Sequence, residues 1–196
     1  MHYVFSMDEV LSIEASVEVL HSMCLDAVEH VVLTERYRDF GLPEWSWPSI
    51  ERSWRRRDPH LYGRFDFSYD GKGPAKLIEA NYDTPTSLYE AAAFQLIWLE
   101  EQIQRGVLAP HTSQFNRIAE ELVRAFGAFD RRDRFHFSAI AGSVEDRGTT
   151  DFLRRMAAHA GLRTGHIDLQ DIGLDSQGRF VDLAGRGGSR WSGSAG

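Results

Sequence analysis

The sequence is poor in several features that define large classes of protein. It has one cysteine, Cys24, among 196 residues, so it cannot form an intrachain disulfide. It has neither a signal-peptide pattern after Met1 nor a run of about 18 apolar residues able to cross a membrane. Lys and Arg number 22 against 29 Asp and Glu, and the net charge of -7 provides no broad basic surface for nucleic acid. These absences predict a cytoplasmic protein that binds neither membranes nor nucleic acid.

The composition is that of an ordinary globular protein, with 42% hydrophobic and 26% charged residues. Helical and strand periodicities alternate along the chain, which predicts a mixed α/β fold. Ser6 and Glu9 form a candidate capping box before a long amphipathic helix that reaches Val31. A second candidate capping box, Ser87 with Glu90, opens a helix that ends near Arg105. Further predicted elements are helices over 50–57 and 113–126 and a βαβ unit with strands over 134–141 and 163–169 around a helix over 150–160.

The residues from Tyr62 onward change to a period of two, which predicts a strand. Phe65 and Phe67 then face one side, and Arg64 and Asp66 face the other. The turn-forming residues 70–74 precede a returning strand over 75–81, so a β-hairpin is predicted. A four-residue loop between Asp70 and Ala75 would place these side chains in two opposed pairs on one face, Asp66 with Glu79 and Arg64 with Asn81.

This set of side chains suits phosphate and metal chemistry. Directly opposed carboxylates repel, so Asp66 and Glu79 require a nearby cation. Two carboxylates and the amide oxygen of Asn81 are hard oxygen ligands of the kind that Mg²⁺ takes beside nucleotide phosphates. Arg64 could then contact a phosphate through its guanidinium fork. A solvent-facing ladder of ion pairs on a hairpin explains the same residues without any ligand, and both interpretations stay open at this point.

The segment LYGRFDFSYDGKGPAKLIEANYDTPTSLYEAA, with the flanking LPEW and QLIWLEE, resembles the core of the glutathionylspermidine synthase family. The resemblance extends from about Val4 to Leu183 and weakens after Arg131. It implies an ATP-grasp ligase that phosphorylates a carboxylate of a glutathione-like peptide and joins it to a polyamine-like amine. It also implies that the predicted hairpin is catalytic and that 134–169 is the βαβ unit that precedes an ATP-grasp fold.

The resemblance implies a role for each matching residue. Arg64 matches the arginine that contacts the transferring phosphate, and it serves catalysis and cofactor binding together with Asp66. Mg²⁺ is expected on Asp66, Glu79 and Asn81, beside ATP. The residues expected to contact substrate are Thr84, Thr86, Ser87, Glu145 and Asp146. Turn and helix-cap chemistry is an equal alternative for Ser87, and a plain surface loop is the alternative for the acidic pair.

The end of the sequence changes to GRGGSRWSGSAG, which has almost no apolar pattern. We therefore expect a partial synthetase domain over 1–183 and a disordered Gly/Ser/Arg tail over 184–196, produced by a frameshift or truncation. On the resemblance, the ATP-clamping lysines, the adenine pocket and a late arginine of the family lie beyond this point. The chain is accordingly predicted to be an inactive fragment of an acid–amine ligase.

Two other functions fit the same residues. The first is a non-catalytic module that binds a glutathione-like or polyamine ligand through Thr84, Glu145 and Asp146. The second is a metal-dependent hydrolase that uses the hairpin carboxylates; it ranks lower because no histidine ligands or activated nucleophile accompany them. A dinucleotide-binding domain ranks lower still, since the loop after Ala141 contains no G-x-G-x-x-G motif.

Overall fold

A computed structural model describes residues 3–82, 87–132, 134–176 and 180–183. The chain divides into two compact units, Met1–Asp83 and Thr84–Gly196. Both contain helices and small sheets, so the prediction of a mixed α/β fold is confirmed. Among the described helices, none has the length and hydrophobicity needed to cross a bilayer. The tail over 184–196 lies outside the described residues, and the single domain over 1–183 stays a prediction.

The first unit begins with a long helix, α1 (Met7–Leu33). The predicted capping box is confirmed: the Ser6 hydroxyl accepts from the Glu9 N–H at 3.3 Å, and the Glu9 carboxylate accepts from the Ser6 N–H at 2.7 Å. This arrangement satisfies two N–H groups that a helix start leaves unpaired. Two short 3₁₀ segments, Arg36–Phe40 and Glu44–Ser46, lead to α2 (Trp47–Arg56), which starts three residues before the predicted helix.

The predicted hairpin closes the first unit. It consists of β1 (Arg64–Ser68) and β2 (Lys76–Asn81), which pair antiparallel. Asp70 holds the loop between the two strands, because its side chain accepts hydrogen bonds from the N–H groups of Lys72 and Gly73 at 2.9 and 3.2 Å. Such side-chain bonds replace backbone pairing in tight loops and hold the two strands in place.

The second unit begins with a helix that contains one π-helical turn. The turn covers Glu90–Phe94, and α3 (Gln95–Gln104) follows directly. The predicted capping box at Ser87 is wrong: Ser87 has a φ of 66°, whereas an N-cap residue is extended. Its carbonyl accepts from the Ala91 N–H at 3.1 Å, which is the ordinary first bond of a helix and not a side-chain cap.

The rest of the second unit contains the predicted βαβ arrangement. It is formed by β3 (Arg134–Ala139), α5 (Val144–His159) and β4 (Arg163–Asp168), and the two strands pair in parallel. Before them lies α4 (Ile118–Phe126), which starts five residues later than predicted. After them, β5 (Ile172–Leu174) and β6 (Phe180–Asp182) form an antiparallel pair. The core of this unit consists of buried apolar side chains from α4, α5 and β4, namely Leu122, Phe126, Phe152, Ala157 and Ile167.

Candidate active site

The hairpin brings four of the predicted site residues together. Across β1 and β2, Asp66 pairs with Glu79 and Arg64 pairs with Asn81, which are the two pairs predicted from the loop length. Residues two apart on a strand share a face, so all four side chains lie on the same side of the hairpin. The predicted pairing of these four residues is therefore confirmed. Their roles in binding metal and phosphate stay a prediction.

Arg64 and Asp66 form a two-pronged ion pair along β1. The Nε of Arg64 donates to Oδ1 of Asp66 at 2.8 Å, and Nη2 donates to Oδ2 at 3.0 Å. These hydrogen bonds, supported by the charges of Asp66 and Glu79, raise the pKa of Arg64. The side chains are 31% and 39% exposed, so the pair stands at the surface where a solute can reach it. Arg64 thus supplies the cation that two opposed carboxylates require.

On the opposite strand, the side chains of Glu79 and Asn81 contact each other. The Asn81 Nδ2 donates a short hydrogen bond to Glu79 Oε1, and Glu79 is exposed. The pairing register changes just beyond this point: Asp66 faces Glu79, but Phe67 faces Leu77. Ile78 is therefore the extra residue of a β-bulge. Bulges are frequent beside active sites because they redirect side chains, and this one lies immediately next to the acidic pair.

The donor set of this face fits Mg²⁺. Two carboxylates and one amide supply hard oxygen atoms, and Mg²⁺ usually completes its shell with water and substrate phosphates. Within the described residues, no three or more His, Cys, Asp or Glu side chains gather in a way that could hold a metal by themselves. A bound Mg²⁺ would therefore depend on Asn81 and on oxygen atoms from outside the hairpin.

The opposite face of the hairpin is aromatic and contacts α1. Phe65 and Phe67 stack with their centroids 6.4 Å apart, and Tyr82 meets Phe65 edge-on at 5.7 Å. The Tyr82 hydroxyl bonds to Nδ1 of His21 on α1 at 2.8 Å. Burial, and then the neighbouring Cys24 thiol, raise the pKa of Tyr82 to about 12. Sequence reasoning did not identify His21, because nothing in the spacing of α1 indicates a partner 61 residues away.

The remaining predicted substrate residues all belong to the second unit. Thr84 and Thr86 lie outside the described residues. Ser87 is described, with an exposed side chain before the π-helical turn. The helix predicted over 150–160 left Glu145 and Asp146 in the loop before it, and this boundary is wrong, since both lie in the first turn of α5. Ser143 caps that helix by accepting from the Asp146 N–H at 3.3 Å, and carboxylates in a first turn complement the helix dipole.

These observations define a mixed α/β protein with an arginine, two carboxylates and an amide on one face of a hairpin, a set suited to phosphate and metal ligands. Comparison with known proteins identifies its family. Residues 1–191 match the family described as glutathionylspermidine synthase preATP-grasp. The chain therefore belongs to this family.

Three relatives show how much of this chain and of each relative the similarity covers. A Haemophilus influenzae protein named "Putative acid--amine ligase" is 42% identical over 186 residues, covering 92% of this chain and 46% of the relative. Trypanothione synthetase of Crithidia fasciculata is 35% identical, and the bifunctional glutathionylspermidine synthetase/amidase of Escherichia coli is 28% identical; each match covers 85% of this chain and 26% of the relative. The chain thus spans at most about half the length of these relatives.

Proposed function

We propose that this chain provides the magnesium- and phosphate-binding hairpin of an ATP-dependent acid–amine ligase. The observation that carries the proposal is the pairing of Asp66 with Glu79 beside the Arg64 fork, in a chain that belongs to a synthetase family. In the proposed reaction, the γ-phosphoryl group of ATP passes to a substrate carboxylate. The amine nitrogen then attacks the carbonyl carbon of the resulting acyl phosphate, and phosphate leaves as the amide forms and the amine loses a proton.

Asp66, Glu79 and Asn81 would hold Mg²⁺, which supplies positive charge to neutralise phosphate oxygens. Arg64 would orient the transferring phosphoryl group through its planar fork. Its Nε and Nη2 donate to Asp66, so the guanidinium stands beside the proposed metal ligands, where it could also contact a phosphate oxygen. The hairpin therefore contributes positioning and charge, whereas the bond-making atoms all belong to the substrates.

The substrates proposed are a glutathione-like peptide acid and a polyamine-like amine, following the names of the relatives. Thr84, Thr86 and Ser87 are proposed contacts for the acid. Glu145 and Asp146 are proposed to attract the amine, because a pair of carboxylates suits an organic cation. A cytoplasmic location, where ATP is available, belongs to the same proposal.

The test is a turnover assay of the purified chain with ATP, Mg²⁺, glutathione and spermidine, which follows ADP and amide together. Formation of both, abolished by Asp66→Asn, supports a complete ligase. Formation of ADP without amide, at a rate that does not depend on the amine concentration, would point instead to hydrolysis and overturn the acid–amine assignment.

A second candidate is a non-catalytic module that binds the same small molecules. It would use Thr84, Glu145 and Asp146 and would involve no phosphoryl transfer at the hairpin. Calorimetric titration distinguishes the two: heat from glutathione or spermidine, with neither ADP nor amide formed, is the result expected of a binding module.

A further inference from the structure

Two tyrosine hydroxyls attach the hairpin to α1, one near each end of the hairpin. Near the loop, the Tyr69 hydroxyl donates to Oε1 of Glu9, in the first turn of α1, at 3.0 Å. At the open end, the Tyr82 hydroxyl and Nδ1 of His21 share a hydrogen bond of 2.8 Å. His21 lies about 18 Å further along the helix axis than Glu9, at the usual rise per residue. The hairpin is therefore held to α1 at two well-separated points.

The β-bulge at Ile78 lies between these two attachments. Glu79 and Asn81 lie between the bulge and Tyr82, whereas Tyr69 lies on the other side of the bulge, next to the loop. All of β2 except its last residue is exposed, so burial does not fix the position of this strand. A bulge also interrupts the regular ladder of hydrogen bonds. The Tyr82 attachment is therefore the one that holds the part of β2 with the proposed metal ligands.

The ring of Tyr82 contacts both strands of the hairpin. It meets the ring of Phe65 edge-on, with 5.7 Å between centroids. It also fills the space beside Gly63, where a Cβ would lie 2.8 Å from two of its ring carbons. Asn81 directly precedes Tyr82 in the chain, so a fixed ring also fixes the backbone from which the Asn81 side chain projects.

His21 is the polar partner that determines where the Tyr82 hydroxyl lies. Cys24, which is one helical turn further along α1, also meets this hydroxyl, but a thiol forms only weak hydrogen bonds. The ring of His60 lies beside that of His21, with 5.8 Å between centroids. The bond from His21 is therefore the main directional contact between α1 and the open end of the hairpin.

We propose that His21 is a positioning residue for the metal-binding face: through Tyr82, it fixes the orientation in which Asn81 presents its amide oxygen. This role rests on the proposed function of the hairpin. His21 itself lies on the aromatic side of the hairpin, away from the proposed ligands. Residues that orient a metal ligand without touching the metal typically contribute roughly 10- to 100-fold to its affinity.

The experiment measures the affinity of the ¹⁵N-labelled chain for Mn²⁺ from the broadening of the Asn81 amide signals. His21→Ala and Tyr82→Phe should each lower this affinity about tenfold. His21→Asn should restore it, because a side-chain amide can place a hydrogen-bonding atom where Nδ1 lies.

Tyr69→Phe is the matched control, since it removes the other tyrosine hydroxyl that binds α1. It should lower the urea midpoint of unfolding by an amount comparable to Tyr82→Phe. Its affinity for Mn²⁺ should equal that of the wild type, because this attachment lies on the loop side of the bulge.

A double variant tests whether His21 acts through Asn81. Asn81→Ala removes the proposed ligand, so the addition of His21→Ala should lower the Mn²⁺ affinity no further. A general loosening of the first unit would weaken binding again in the double variant. Without metal, the side-chain amide signals of Asn81 should shift in His21→Ala and stay in place in Tyr69→Phe.

The assay separates failure of the metal site from failure of the role given to His21. Absence of saturable broadening at the hairpin in the wild type would show that the metal site itself is wrong, and the role of His21 would fall with it. If the wild type binds Mn²⁺ and both His21→Ala and Tyr82→Phe bind it equally well, only the role of His21 is refuted. The same holds if the double variant loses affinity by the full factor again.

Discussion

Asp66 lies directly opposite Glu79 across β1 and β2, and the cation that offsets their repulsion is Arg64, two residues from Asp66 on the same strand. An ordinary surface hairpin would have paired each acid with a base across the strands. Here both acids face each other, and one guanidinium binds one of them. This arrangement leaves a concentration of negative charge that a divalent cation can neutralise, which connects the register of the hairpin to the proposed chemistry.

The first prediction separates the structural role of Asp66 from its functional one. Asp66→Asn should change the free energy of unfolding by less than about 1 kcal/mol, because the ion pair is exposed and its loss also removes the repulsion with Glu79. Thermal stabilisation by Mg²⁺ and ATP should disappear in the same variant. Both quantities can be measured by thermal and chemical unfolding with and without ligand.

The matched control is Asp130→Asn. Asp130 and Arg132 also form an exposed pair two residues apart, outside the hairpin. This variant should lose a similarly small stability and keep the response to Mg²⁺ and ATP. A loss above about 2 kcal/mol for Asp66→Asn alone would instead make the pair a structural element, since exposed pairs contribute less than that.

The second prediction concerns acid titration. The hydrogen bonds from Arg132 lower the pKa of Asp130 from 3.8 to about 2. Because the folded state lowers this pKa, the pair stabilises the protein above the pKa of the unfolded chain, and the contribution is lost as pH falls from about 4 to about 2. Carbonyl-detected NMR should show a midpoint near 2 for Asp130. In Arg132→Gln the midpoint should rise toward 3.8, and a midpoint that does not move would show that Arg132 is not the cause.

The third prediction concerns the tight contact between Gly63 and Tyr82. A Cβ added at Gly63 would lie 2.8 Å from two ring carbons of Tyr82 and 3.2 Å from the Asn81 carbonyl oxygen. Gly63→Ala should therefore displace the ring, break its bond to His21 and destabilise the protein by about 1–2 kcal/mol. At Gly73, in the hairpin loop, an added Cβ meets nothing within 4 Å. Gly73→Ala should change stability by less than about 0.5 kcal/mol in the same urea unfolding experiment. Equal effects of the two substitutions would contradict the packing argument.

The fourth prediction concerns the proposed amine substrate. If Glu145 attracts it, Glu145→Gln should raise the KM for spermidine about tenfold and leave kcat nearly unchanged, because uniform binding is lost. Glu120 occupies the equivalent first turn of α4, so Glu120→Gln controls for the effect on the helix dipole. Steady-state kinetics, or calorimetry if the chain only binds, measures the difference. Identical behaviour of the two variants would assign Glu145 to helix stability alone.

The hairpin could be predicted from sequence because two local signals agree there. The alternation from Arg64 to Phe67 defines the faces, and the turn residues after Asp70 limit the loop. The pair nearest the loop, Ser68 with Lys76, would place Ile78 opposite Asp66 in a regular ladder. The predicted pairs of the site are therefore correct only because a bulge shifts the register by one residue. The bulge at Ile78 could not be predicted in this way. Most of β2 is exposed, so no buried alternation holds the register on the turn side of the acidic pair.

The start of α5 was predicted wrongly because two local signals in the sequence conflict. α5 starts six residues earlier than predicted because Ser143 caps it, whereas Gly148 suggested a loop. Gly148 is tolerated inside the helix, where the Tyr89 ring lies 3.7 Å from the position that a Cβ would take. The cavity between Leu33 and Trp54 had no sequence signal, since its lining comes from two separate stretches, 29–35 and 51–57, that only the fold brings together. A local cap set the start of α5, whereas contacts between residues distant in sequence decided the other features.

The central claim, that Asp66, Glu79 and Asn81 form a divalent-cation site, is tested most directly by adding Mn²⁺ to the ¹⁵N-labelled chain. Mn²⁺ accepts the same oxygen ligands as Mg²⁺ and broadens NMR signals near its binding site. We predict that the amide signals of these three residues broaden first, that excess Mg²⁺ restores them, and that Asp66→Asn abolishes the effect while Asp130→Asn preserves it. Equal broadening at acidic residues throughout the surface, unchanged in Asp66→Asn, would contradict the claim.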